Sequence, residues 1–495
     1  MSVSGLMPAF AAAEGESRGV FIDGAVRLID SLNAFVFSTI PLFGFNINWV
    51  VAWMALPMLI LTVYFGFINL RSFKRAYKIL RGDYNDPDAR GEVSQFQALS
   101  TALSGTVGLG NIAGVAVAIS LGGPGATFWM IIIGFFAMSL KFAECTLGVK
   151  YRVYHDDGTV SGGPMYYLYH GLKERGTGWG KVGFVLAWSY AILAFPSILQ
   201  IAQVNQAHEA IAFVIPAMDG IEFRWGFGVF IAFFTAIVII GGIKSIGKVT
   251  SILVPVMCAI YLTGAIAIIL MHIGSVPAAF STIIAGAFTP EGVTGGIVGV
   301  IIVGMKRAVY SSEAGLGSAT MAHAAAKTNE PVSEGMVALM EPFIDTVVVC
   351  TITALVIVIT GQYEVGNGDV QGIAMTSAAF GSVISWFPYI LAVAAFLFGF
   401  STILSWGYYS GKIWGFLYGR GVRSMRRFQV VYCFLLIPGA VFSPKEVYDL
   451  MDSMFFLMAV PNILGIFLLA PVLKRDIKDY LDRLKSGEIK ETRTI

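Results

Sequence analysis

Between Gln95 and Val149 the chain carries only two charged residues, Lys141 and Glu144. A soluble core seldom holds so long an uncharged run. A bilayer requires one, because about 20 apolar residues are needed to cross its hydrocarbon as a helix. Similar runs recur along the whole sequence. Of the 495 residues, 56% are hydrophobic and 13% charged, whereas soluble domains are about a quarter charged. The chain reads as a polytopic membrane protein with eleven spans, at roughly 49–70, 95–121, 124–149, 182–206, 225–243, 250–272, one within 279–318, 337–361, 376–411, 428–443 and 447–473. Segment 21–41 is amphipathic and is expected to form an interfacial helix. Three parts follow: an extracytoplasmic segment (1–48), one transmembrane domain (49–473) and a cytoplasmic tail (474–495). The opening "MSVSGLMPAFAAAEGES" has the small residues of a cleavage site but lacks a signal peptide's basic flank and apolar core.

The basic residues are sorted by side. Of 33, 28 fall in alternate loops and the C-terminal stretch, with Lys306 and Arg307 counted among them. Arg18, Arg27, Arg224 and Lys445 fall on the other side, and Lys141 lies within a span. The positive-inside rule then places the N-terminus outside and the C-terminus in the cytoplasm. An odd number of crossings agrees. The predicted location is the plasma membrane, or the inner membrane of a Gram-negative cell. A net charge of +2 gives no basis for a nucleic-acid partner. The four cysteines read as small buried hydrophobes, and the five histidines are scattered without metal-ligand spacing. No nucleotide-binding loop is present.

One span contains its own interruption. "TVGLGNIAGVA" (106–116) sets Gly108, Gly110, Gly114 and the amide of Asn111 inside an apolar run. Within a bilayer a helix break is tolerated where it lines a cavity or is buried in protein. The freed carbonyls coordinate a cation and the freed N–H groups of the new helix start hold a carboxylate. Small residues that merely let helices pack are the plainer alternative.

The motifs "FQALSTALSGTVGLGNIAGVAVAI", "GGPGATFWM", "GGPMYYL", "SSEAGLGSA" and "FIDTVVVCTITAL" occur in order, and together they resemble the alanine or glycine:cation symporter family, within the LeuT-like amino acid-polyamine-cation superfamily. The chain departs from the family pattern at Ile131, Ser312 and Lys412. The resemblance implies an all-α fold with a LeuT-like 5+5 inverted repeat. The first and sixth core helices would be discontinuous, and one extra N-terminal transmembrane helix would precede them. Two breaks suit the sixth core helix. One lies at "TPEGVTGG" (289–296) and leaves Lys306 and Arg307 at a cytosolic edge, sparing the cost of burying them. The other lies at "KRAVYSS" (306–312) and matches the spacing of the first repeat better.

The resemblance also implies site residues. Backbone oxygens of Ser104 and Val107, with the hydroxyls of Ser401 and Thr402, would hold sodium, the coupling ion; neutral hard oxygens suit it. The amides of Gly108, Leu109 and Gly110 would take a substrate carboxylate beside Thr106 and Asn111. Trp406, on the face of Thr402, would wall the pocket down to alanine or glycine, with Phe195 as lid. Glu144 would brace the broken helix. Glu341 and Asp345 would pair with Arg307 near a cytosolic gate, or relay protons. The expected function is sodium-coupled import of small neutral amino acids, with membrane potential supplying about 2.3 kcal/mol per charge per 100 mV. No organic cofactor and no enzymatic activity are implied. A proton-coupled carrier is the alternative; a membrane enzyme or channel finds less support, because no convergent catalytic cluster and no repeated pore loop are evident. Oligomeric state is not readable.

Overall fold

A computed structural model describes residues 20–491 except 43–44, 85, 87, 290–295, 365–371 and 442–444. The chain is helical nearly throughout. Helix α1 (Val20–Val36) is the expected amphipathic segment. It ends earlier than the hydropathy suggests, because Thr39–Leu42 (β1) turns back on Phe45–Asn48 (β2) as an antiparallel hairpin. α2 (Trp49–Tyr64) precedes the core.

The first core helix is broken. α3 (Gln95–Thr106) and α4 (Leu109–Gly122) are separated by Val107 and Gly108. Ser94 starts α3 with a reciprocal capping box to Gln97. α5 (Gly125–Lys150) follows, then a connecting segment containing α6 (Pro164–Lys173). α7 (Thr177–Ala194) and α8 (Ile201–Val214) form one bent span about Pro196, which cannot donate to a helical bond. α9 (Ile221–Ile239) and α10 (Gly242–Met271) complete the first five.

The second set also begins with a broken helix. After α11 (Val276–Gly286), α12 (Gly296–Ser312) runs unbroken through Lys306 and Arg307, and the chain leaves the helix only at Glu313. It resumes as a single turn, α13 (Thr320–His323). The break is therefore at 313–319, next to the second of the two predicted positions. The break at 289–296 is not supported: positions 290–295 lie outside the described residues, but Lys306 and Arg307 lie within a helix rather than in a loop. Gly304 explains the close fit of α12, since a Cβ there would stand 2.5 Å from the Ala126 carbonyl of α5.

The next span, Pro331–Ile359, starts as α14 (Pro331–Ala338) and ends as α15 (Cys350–Ile359). Between them Phe343–Val349 is wound as a wide π-helical turn that carries Asp345. α16 (Ile373–Val383) is separate from α17 (Phe387–Tyr418), where one run of 376–411 is predicted. α18 (Val422–Leu436), α19 (Lys445–Leu457) and α20 (Ala459–Ser486) close the chain. α20 continues well past 473, so the first part of the expected tail is helical. The result is a LeuT-like arrangement of two five-helix repeats, each opening on a broken helix, with α2 added before them. Eight helices among the described residues are long and apolar enough to cross a bilayer.

One end of the bundle is cross-linked. Val93 and Ala326 form a parallel bridge. The buried guanidinium of Arg152 donates to the carbonyls of Ala324 (2.8 Å), Ala326 (2.6 Å), Arg90 (2.9 Å) and Thr328 (2.5 Å). Lysine cannot supply that planar fork. Arg152→Lys is expected to lower stability by on the order of 2–3 kcal/mol, seen as a reduced Tm of the full-length protein in detergent. An unchanged Tm would show that the clamp is slack.

Candidate transport site

Each break frees backbone groups, and each is answered by an asparagine. At the first, Asn111 turns its Oδ1 back to accept the Gly108 N–H at 2.8 Å. Its Nδ2 faces Asp345 Oδ1 at 2.6 Å, the Asp345 carbonyl at 3.2 Å and Ser311 Oγ at 3.0 Å. Ser311 and Thr346 also donate to Asp345 Oδ2, at 2.5 and 2.7 Å. The two-residue break is thus pinned to α12 and to the π-helical turn, whose extra width brings Asp345 within reach. The amide oxygen of Asn111 is engaged by the backbone, not presented to a cation.

At the second break Glu313 adopts φ +50°, a left-handed conformation rare outside glycine, and Gly315 and Gly317 follow at +96° and +75°. Asn462 of α20 donates to the Gly315 carbonyl at 2.8 Å and to Glu144 Oε1 at 2.9 Å, and accepts from Tyr167. Glu144 therefore meets the second broken helix through a residue the sequence reading did not single out. Its signal, one asparagine in an apolar run, was present at 462.

The end of α3 meets α17 edge to edge. The Ser104 carbonyl accepts from Thr402 Oγ1 at 3.0 Å and Ser401 Oγ at 3.4 Å. Ser405 Oγ donates to the Thr101 carbonyl at 2.7 Å and touches the Ser104 hydroxyl. Gly108 permits the contact, because a Cβ there would lie 3.1 Å from Thr402 Oγ1. Val107 ends α3 by donating to Leu103 at 2.7 Å, and its ψ of 98° turns its carbonyl out of the helical direction. All these atoms are neutral oxygens, a donor set that fits an alkali cation. Thr101 and Ser405, which the sequence reading did not single out, share this contact. Among the described residues no group of three His, Cys, Asp or Glu is placed to hold a metal ion.

A cavity of about 370 Å³ opens beside the breaks. Thr106, Gly108, Leu109, Gly110, Thr402 and Trp406 all line it. The N–H groups of Leu109 and Gly110 start α4 with no acceptor among the described residues. Trp406 is wedged against Tyr409 and Phe455, with ring centroids 5.5 and 5.9 Å away. Phe195 is not in the lining; it packs on Trp414 and Tyr418 of α17. Arg307 also lies elsewhere than expected. It lines the cavity beside Lys306 and Asp452, with its guanidinium over Tyr310, and it does not pair with Glu341 or Asp345. Both cations border the cavity although they lie within a helix. Glu341 instead faces Lys141 at 3.2 Å and His323 at 3.6 Å.

Two interrupted helices beside an open cavity are the arrangement of a secondary transporter, and the relatives of the chain are of that class. The chain belongs to the sodium:alanine symporter family, whose model matches residues 31–494. It is 38% identical over 474 residues to the sodium/alanine symporter AgcS of Methanococcus maripaludis, covering 94% of this chain and 99% of that one. It is 32% identical to a probable sodium/glutamine symporter, GlnT, of Bacillus subtilis, covering 85% of each. In fold it is similar to MhsT crystallised with L-phenylalanine (TM-score 0.53, 15% identity, 77% of this chain and 89% of that) and to the Eremococcus coleocola manganese transporter (TM-score 0.52, 16% identity, 77% and 83%).

Asn111→Ala strips the cap from Gly108 and leaves Asp345 without its amide partner. A loss of about 2 kcal/mol or more is expected, read as a fall in transport much larger than any fall in membrane protein level by immunoblot. Equal falls would mean that Asn111 only supports folding.

Proposed function

We propose that the protein imports a small neutral amino acid, alanine or glycine, together with sodium. The supporting observation is the meeting of the Ser104 carbonyl with the Ser401 and Thr402 hydroxyls beside a cavity entered by the uncapped amides of α4. In this reading sodium sits among Ser104, Ser401 and Thr402, with the Val107 carbonyl turned toward it. The substrate carboxylate docks on the N–H groups of Leu109 and Gly110, where the helix start favours negative charge. Gly108 has given its N–H to Asn111, so it contributes close approach rather than a donor. The freed carbonyls at the end of α3 face the ammonium group. Trp406 limits side-chain size. Glycine and alanine offer little apolar area, so recognition rests on the zwitterion and on exclusion of anything larger.

Transport then requires the cavity side to close and the Arg152 side to open. Asn111, Asp345, Glu144 and Asn462 hold the two breaks while the helices tilt, and Lys306, Arg307 and Asp452 stand at the cavity wall where closure would bring them together. With the N-terminus outside and the C-terminus in the cytoplasm, the cavity faces outward and the cross-linked end inward. The work comes from the ion gradient across the cell's plasma membrane.

Proteoliposomes containing the full-length protein should take up labelled alanine with an inward sodium gradient and not with choline in its place. Uptake that ignores sodium would remove the assignment. Thr402→Val deletes one neutral ligand and should raise the sodium concentration for half-maximal uptake roughly tenfold, equivalent to about 1.4 kcal/mol. A Cβ at Gly110 meets nothing within 4 Å. Gly110→Ala should therefore fold normally while reducing alanine uptake more than glycine uptake; an equal reduction would place the substrate elsewhere.

A further inference from the structure

The second break leads into a charged cluster that the transport site does not use. His323 ends α13 with both ring nitrogens against carboxylates. Nδ1 lies 2.6 Å from Glu334 Oε1 of α14, within hydrogen-bond distance, and Nε2 faces Glu341 Oε2 at 3.6 Å, an ion-pair distance with no hydrogen bond made. All three side chains are fully buried. Glu334 Oε2 accepts from Gln95 Nε2 at 2.8 Å, and Glu341 Oε1 stands 3.2 Å from Lys141 Nζ. The surrounding elements add further groups. α5 brings Lys141, Glu144 and Cys145, the stretch after it Arg152, the break Glu313, the π-helical turn Asp345, and α17 Tyr408 and Tyr409, while α3 brings no charge.

A neutral imidazole has one donor nitrogen and one acceptor nitrogen, and an ionised carboxylate only accepts. With a carboxylate at each nitrogen, a neutral ring would set one lone pair against another. Charge balance points the same way. Lys141 faces Glu341, while Arg152, the cation that acts on Glu334 from farther off, spends its fork on backbone carbonyls; a buried carboxylate without a cation in contact is strongly unfavourable. An imidazolium resolves both problems at once.

We propose that His323, Glu334 and Glu341 form a proton-binding site, occupied in this conformation by a proton that makes His323 an imidazolium bridging the two carboxylates. The protein thus binds a proton at a place distinct from the cavity, on the far side of the two breaks. The proton ties α13, the second half of the second broken helix, to Pro331–Ile359. Movement of α13 away from that span separates the ring from its carboxylates and releases the proton.

The test uses the full-length protein labelled with 15N-histidine and reconstituted in lipid bilayers. Solid-state NMR separates an imidazolium, in which both nitrogens carry hydrogen, from a neutral ring with one bare nitrogen. At about pH 8.5, roughly two units above the ordinary imidazole value, one of the five histidines should remain an imidazolium. None of the other four lies between two carboxylates among the described residues. The signal should vanish in His323→Gln, and in Glu334→Gln the ring should become neutral. Five neutral rings in the unaltered protein would overturn the proposal without any variant. So would an imidazolium that survives His323→Gln or is unchanged in Glu334→Gln. The measurement needs neither sodium nor amino acid, so it stands or falls separately from the transport reading.

Discussion

A backbone N–H or carbonyl that leaves a helix inside hydrocarbon must find a partner within the protein, because there is no water to supply one. Most features of this molecule follow from that requirement applied twice. The first break is held by Asn111, which caps Gly108 and is anchored in turn by Asp345 and Ser311. The second is held by Asn462, which joins the Gly315 carbonyl to Glu144. An asparagine suits both places, since it offers a donor and an acceptor without the cost of a buried charge. The carboxylates stand one step back, where they orient the amides.

The two ends of the bundle are built on different electrostatic principles. On the cavity side Lys306 and Arg307 border the cavity and lie over aromatic rings, Phe37 and Tyr310. On the other side buried charges face named partners: Arg152 four carbonyls, Lys141 Glu341, His323 Glu334. Matched buried charges are costly to separate. A conformation that opened this end would have to hydrate them, which biases the molecule toward the state seen here until a ligand repays the difference.

Much of the architecture was legible along the chain. Apolar run length announces the bilayer, and Gly108-x-Gly110-Asn111 announces the first break, since both follow from local backbone physics. The second break was harder to read. Lys306 and Arg307 look prohibitive inside a span, yet both lie within a helix that borders the cavity. The Ser401–Thr402 pair and the Ser104 carbonyl were readable through family resemblance, whereas Ser405 and Thr101 carry no sequence mark that separates them from ordinary helix hydroxyls. Phe195 shows the limit of position matching: the proline bend after it rotates the ring onto Trp414 and Tyr418 rather than toward the substrate cavity.

The sequence by itself determined the solvent the chain folds in, its family, and where the first helix gives way. Those depend on run length, residue type and local backbone freedom. Tertiary structure alone decided which distant groups meet. Asn111 reaches Asp345, Glu144 reaches Asn462 and Ser104 reaches Thr402, each across more than two hundred residues. Such pairings are set by how helices cross and by which face each one turns inward. No periodicity along a single helix encodes that, because helices spanning lipid are apolar on nearly every face.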